Sequence, residues 1–194
     1  MRSLVVDGVR TRLRGVGPAD ADEAVVFVHG NPGPSEDWAG LVGAAGGFAR
    51  AVAWDQPGFG EADKPRDFPH TVAGHAGFIA GAVRALGLRR VHLVLHDFGG
   101  PWGLQWAAEH PESVGSVVLV NTGVLTGYRW HALARIWQTP VLGELFMATS
   151  TRSGFRAVMR RTEPGLPEAA VDRLYHAGRA PGTRRAVLRL YRAT

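Results

Sequence analysis

An ionised carboxylate at a sharp strand-to-helix turn can act as a nucleophile, and one segment of this chain has that design. Residues 91–110, VHLVLHDFGGPWGLQWAAEH, open as a buried-strand pattern, pass through His96-Asp97-Phe98-Gly99-Gly100, and continue at once as a helix. That is the context of a nucleophile elbow, where the reactive residue sits in strained backbone and glycines let neighbouring chain approach without a Cβ. The residue in the slot is Asp. Being charged at neutral pH, Asp97 can attack an sp³ carbon bearing a leaving group without a general base for that step, which a Ser would need. The plainer alternative is that Asp97 caps the following helix through its first free N–H groups.

Upstream, the strand VVFVHG runs into His29-Gly30-Asn31-Pro32-Gly33-Pro34, and residues 55–65 read DQPGFGEADKP. Each is separately explicable as a Gly-Pro turn. Together, in this order and at this spacing before Asp97, they are poorly explained by turns alone.

The three segments, with AEHPESVGSVVLVNT after them, resemble the α/β-hydrolase superfamily over residues 24–122. In that resemblance His29, Gly30 and Pro32 belong to an HGxP loop, and the backbone N–H groups of Asn31 and Phe98 form an oxyanion hole. Leu95 stands where many members have Gly, and Glu61-Ala62-Asp63 replaces a stretch usually small. His96 before Asp97 is similar to the haloalkane dehalogenase and epoxide hydrolase branch. The implied mechanism is alkylation of Asp97, then hydrolysis of the ester by water that a His activates and an acid orients.

Within that branch the residues point in two directions. Asn31 is similar to the dehalogenase residue whose amide donates to a departing halide, whereas Phe98 replaces a usual Trp and has no side-chain donor. Haloacetate dehalogenases resemble a pattern with Arg directly after the nucleophile and again three positions beyond that Arg, where Phe98 and Pro101 stand here. Epoxide hydrolases use cap tyrosines to protonate the opening oxygen, for which Tyr128, Tyr175 and Tyr191 are the candidates, each equally explicable as a packed cap aromatic. Trp130 and Trp137, spaced i and i+7, are expected to share a helix and line an apolar cap face. None of the eight histidines occupies the family's late catalytic position, and the alternative acid position falls near Asn121. The resemblance therefore implies a C-terminally truncated member, or a degenerate one, a non-catalytic fold remnant that binds a hydrophobic ligand or pairs with itself.

The elements that must position these residues follow from hydrophobic periodicity. An opening hairpin turns at Asp7-Gly8, and near-continuous apolar runs at 24–30, 51–58, 91–97 and 114–122 suit parallel strands. Amphipathic stretches at 36–47, 71–87 and 100–110 fill the gaps as helices. The expected fold is α/β, a mostly parallel sheet flanked by helices with six of the family's eight strands, as a core over 1–122. Residues 123–194, cut by Pro140, Pro164, Pro167 and Pro181, read as a helical cap. With the family's later strands absent, VGSVVLVNT should form an uncovered apolar edge open to self-association.

Composition narrows the classes. Hydrophobic residues make up 45% and charged residues 20%, which suits a globular domain, and with no Cys neither disulfides nor a thiolate zinc site can form. The net charge of +5 is local, since residues 123–194 carry 12 Arg against 4 acids while residues 1–122 are net negative. Arg152, Arg156 and Arg160 recur at helical spacing as a solvated stripe. The expected partner is therefore a small hydrophobic substrate, without nucleic acid, membrane, metal or cofactor. A cytoplasmic location is expected, because no leader or spanning segment is evident.

Overall fold

The computed structural model describes residues 2–122, 128–180 and 182–194. Its sheet is mixed, with order β1-β2-β4-β3-β5-β6. Strands β1 (Arg2–Val6) and β2 (Val9–Val16) form the opening hairpin. Asp7 and Gly8 both take positive φ there, which matches the twist of the two strands. β2 then pairs antiparallel with β4 (Arg50–Trp54), and β3 (Glu23–Val28), β5 (Arg90–His96) and β6 (Val114–Val120) complete the parallel part.

The crossovers carry the expected helices. A 3₁₀ turn, Ser35–Trp38, leads into α1 (Ala39–Ala45), so the stretch expected as one helix from 36 to 47 is split and shorter. Five small residues, Ala39, Gly40, Gly43, Ala44 and Ala45, leave α1 little apolar bulk, and its end runs into Gly46-Gly47. α2 (Val72–Ala85) is capped by Thr71, whose hydroxyl accepts from the Gly74 N–H, and α3 (Gly99–Glu109) follows the elbow. α2 and α3 pack together on one face of the sheet, and α1 lies on the other against Phe27, Ala51 and Ala53.

Among the described residues after β6 the regular elements are helices. They are α4 (Ala132–Gln138), α5 (Leu142–Thr149), α6 (Arg152–Thr162), α7 (Glu168–Arg179) and α8 (Thr183–Arg192). The Arg stripe is a paired surface: Arg152 and Arg156 both bond Asp172, and Arg160 bonds Glu168. α8 differs from its neighbours. Its Ala186, Val187, Leu190 and Tyr191 enter the same apolar core as the sheet, while Thr183, Arg185 and Arg189 bond the carbonyls of Gly58, Lys64 and Arg66.

β6 closes the sheet on one side and pairs only with β5 among the described residues. Val118, Leu119 and Val120 are 51%, 46% and 40% exposed, where buried parallel strands such as β3 have most side chains covered. The apolar edge expected from the sequence is thus present. No helix of the described residues is long and apolar enough to cross a membrane.

Candidate active site

Asp97 sits between β5 and α3 at φ +50°, a left-handed conformation that a non-glycine residue adopts only when its surroundings hold it there. Those surroundings are specific. The Thr122 hydroxyl donates to the Asp97 carbonyl at 2.5 Å, and the Gly100 N–H donates to the same oxygen at 2.9 Å. At Gly99 a Cβ would fall on the Val28 carbonyl, so only glycine lets α3 start this close to β3.

The carboxylate does not cap α3. The helix takes Phe98 as its N-cap residue, and Asp97 Oδ1 accepts instead from the Asn31 N–H at 2.7 Å, across 66 residues of chain. Gly30 makes that approach possible, because a Cβ there would overlap the Asp97 carboxylate. One carboxylate oxygen is therefore fixed by a backbone donor, which orients the other. Among the described residues the Phe98 N–H makes no bond to the carboxylate. Phe98 contributes its ring, which stacks on Trp102 and Trp130 at 5.9 Å and meets Tyr191 edge-on at 5.2 Å.

Of the three cap tyrosines, the structure brings Tyr191 to this site. It lies on α8, and its hydroxyl is 3.4 Å from Asn31 Nδ2. Burial, and then the charge of Asp97, hold its phenol above the ordinary tyrosine range, so it stays a proton donor at neutral pH. Tyr128 is exposed and stands edge-on to Trp130. Tyr175 lies elsewhere, donating to the Ser150 carbonyl and stacking under Arg179. Trp130 precedes α4 rather than sharing a helix with Trp137, because His131 caps that helix by accepting from the Ala134 N–H. Both tryptophans nevertheless meet Tyr191, at 5.3 and 4.9 Å. Trp137 Nε1 and Asn31 Oδ1 are buried without a partner among the described residues.

His29 and His96 do different jobs. His96 turns its ring edge-on to Trp38, on the α1 side of the sheet. His29 is fully buried beneath the loop that carries Asn31, with both nitrogens bonded: Nδ1 to the Gly30 carbonyl at 2.7 Å, Nε2 to the Gln56 N–H at 2.8 Å. Its pKa is lowered by burial, partly offset by Asp55. Pro32 follows a cis peptide in the same loop. The DQPGFGEADKP segment has a structural role: the Asp55 carboxylate accepts from the N–H groups of Ser35 and Glu61, tying this loop to the 3₁₀ turn that leads into α1. Thr122, and the contact of Tyr191 with Asn31, were not legible from spacing.

Among the described residues no group of three or more His, Cys, Asp or Glu side chains could hold a metal ion. A surface hollow of about 470 Å³ is lined by Arg152, Ser153, Arg156, Ala157 and Arg160 and shares no residue with the Asp97 site. Its arginines are engaged by Asp172 and Glu168.

Comparison with known proteins gives the chain's family. The haloalkane dehalogenase of Mycobacterium marinum is 33% identical over 175 residues, covering 84% of this chain and 56% of that protein. The cis-3-alkyl-4-alkyloxetan-2-one decarboxylase of Xanthomonas campestris is 32% identical over 179 residues, covering 83% of this chain and 57% of its own. The chain thus spans a little over half the length of these two curated relatives. An epoxide hydrolase from Vigna radiata shares the fold, with a TM-score of 0.76 at 21% identity over 98% of this chain and 70% of that one. Residues 23–157 match the family described as alpha/beta hydrolase fold, and the chain belongs to it.

Proposed function

We propose that the chain carries the nucleophile of a hydrolase that acts on small hydrophobic carbon electrophiles, haloalkanes or epoxides, through an ester on Asp97. The observation that carries this reading is the carboxylate held at φ +50° with one oxygen fixed by the Asn31 N–H. The other oxygen attacks the electrophilic carbon, the C–O or C–halogen bond breaks, and the leaving atom takes its electrons. Rings from Phe98, Trp130, Trp137 and Tyr191 supply an apolar wall for such a substrate. Hydrolysis of the ester then needs water and a general base.

Tyr191 favours an epoxide, because its protonated hydroxyl can neutralise the alkoxide as the ring opens. The haloalkane reading keeps support from Asn31 Nδ2 and the unpartnered Trp137 Nε1–H, the kinds of donor a halide needs.

The test is to incubate the protein with a reactive epoxide or bromoalkane and map adducts by mass spectrometry. A single adduct on the Asp97 peptide, lost in Asp97→Asn, is expected. Release of bromide against formation of a hydroxyalkyl ester separates the two substrate classes. An adduct that persists in Asp97→Asn, or none with either reagent, would sink the reading.

A further inference from the structure

A chain of buried polar side chains lies beneath the site, and the reaction at Asp97 makes no direct use of it. His70 and His75, the latter at the start of α2, are both buried, as is Gln56. His75 Nδ1 lies 3.4 Å from Gln56 Oε1, and His75 Nε2 lies 3.4 Å from His70 Nδ1. The Gln56 N–H donates to His29 Nε2, and His29 Nδ1 contacts the Gly30 carbonyl. The next N–H along the chain is that of Asn31, which holds Asp97.

With the Gln56 amide oxygen facing His75, one proton placement satisfies the ring nitrogens that bond within this series. Gln56 Oε1 can only accept, so His75 carries its proton on Nδ1 and accepts at Nε2, which makes His70 Nδ1 a donor. The Gln56 N–H can only donate, so His29 Nε2 accepts and its Nδ1–H donates to Gly30. Burial lowers all three imidazole pKa values, so the rings are neutral; these bonds then place each proton on Nδ1, and the series runs in one direction, from His70 toward the Asn31 loop. Burying three imidazoles costs free energy that apolar side chains of the same size would avoid, so packing alone is a poor account of them. His75 also stacks face to face on Trp102 at 4.0 Å, and Trp102 stacks on Phe98. The same ring thus reaches both flanks of Asp97.

We propose that His75 is a positioning residue for Asp97: by way of Gln56 and His29 it fixes the Gly30–Asn31 peptide, whose N–H holds the carboxylate. The inference rests on reading Asp97 as the nucleophile, but its first consequence is local structure and can be measured without any reaction. Two cuts separate hydrogen bonding from packing. His75→Leu removes the donor, and Gln56→Met removes the acceptor while keeping the backbone N–H that reaches His29. His75→Asn keeps a donor near the position of Nδ1 and is the conservative variant.

The test uses the backbone amide resonance of Asn31, which its short bond to a carboxylate should shift downfield in the native protein, together with the rate of ester formation at Asp97 with a reactive epoxide. His75→Leu and Gln56→Met should both move that resonance upfield and slow ester formation by roughly 10- to 100-fold, the order expected for a slightly misplaced reactant. His75→Asn should retain most of both. If His75→Leu fails to fold, Gln56→Met alone reads the same step. An Asn31 resonance unchanged in Gln56→Met would overturn the proposal, as would His75→Asn behaving like His75→Leu. A resonance that moves as expected in a protein that forms no ester at all would uphold the positioning role and remove the nucleophile reading.

Discussion

Acidification from pH 7.5 to 5 should destabilise this protein through its buried histidines. Burial, then the nearby charges of Arg189 and Arg185, lower the His70 pKa from 6.5 to about 4. His75 and His29 are lowered by burial too. In the unfolded chain these groups take up protons as the pH falls through 6.5, whereas in the folded protein they stay neutral. The unfolded state then binds more protons, so stability is lost on going down from pH 6.5 toward 4. For His70 alone the loss at pH 5 is about 2 kcal/mol, from the difference between the two protonation curves. With a urea dependence of about 1–3 kcal/mol/M, the midpoint should fall by roughly 1 M. Carboxylates paired with arginine, such as Asp172 and Glu144, are held below their ordinary range, so their contribution is lost at pH values below this window. Asp37, raised by burial, acts in the opposite direction. Urea titrations followed by tryptophan fluorescence at pH 7.5, 6.0 and 5.0 measure the effect, and His70→Gln should remove about 2 kcal/mol of the difference. A midpoint that stays constant across this range, or a His70→Gln protein with undiminished pH dependence, would show that these histidines are solvated or charged in the folded state.

Other perturbations read other parts of the structure. Gly30→Ala drives a methyl group into the Asp97 carboxylate, so ester formation should fall by at least about 10²-fold while far-ultraviolet circular dichroism is retained; an active Gly30→Ala would mean the carboxylate has another resting position. Tyr191→Phe removes only the hydroxyl, so epoxide opening should slow by about 10²- to 10⁴-fold and bromoalkane attack change little, measured as separate adduct rates. The exposed edge of β6 should drive self-association that Val118→Lys suppresses, seen as a concentration-dependent sedimentation coefficient in the parent and a constant one in the variant. Among the described residues no histidine bonds the Asp97 carboxylate, so the 194-residue chain should stall after one adduct per molecule, and repeated turnover would direct attention to His131 in the cap.

The parts of this architecture that follow from short-range pattern were legible in the sequence. Apolar runs gave β3 to β6, and the Asp7-Gly8 turn gave the hairpin, because periodicity and turn chemistry act within a few residues. Helix bounds were less so: α1 is short because its small residues and the Gly46-Gly47 pair offer little to bury, although the polar-apolar pattern continues past them. The two loops that meet at Asp97 were visible as motifs, yet their meeting is a long-range event. Nothing near Asn31 in sequence announces that its N–H will choose the Asp97 carboxylate, or that α8 will return from position 191 to set a phenol beside its amide. Likewise His75, in a run of small and apolar residues, reads as an ordinary core histidine until Gln56 is seen opposite it.

α8 makes these separate observations parts of one device. Its N-terminal turn bonds the Gly58 carbonyl through Thr183, and Ala186 packs where a Cβ on Gly58 would clash, so the helix is seated directly on the loop that carries Gln56. Its middle presents Arg185 and Arg189, which bond the carbonyls of Lys64 and Arg66 and lower the His70 pKa. Its last turn delivers Tyr191 to Asn31, and Arg192 pairs with Glu144 on α5. A displacement of α8 would therefore loosen the phenol, the Gln56 loop and the histidine series together, whereas the exposed ion pairs of α6 lie one helix further away, α6 packing on α7 and α7 on α8. Arg160→Ala, at a surface ion pair on α6, should leave stability almost unchanged and the Asn31 resonance in place. Ala186→Leu, forced against Gly58 and His70, should move that resonance and the His70 imidazole signals at once. If Ala186→Leu lowered stability while both signals stayed fixed, α8 would be a brace for the cap and no part of the site's support.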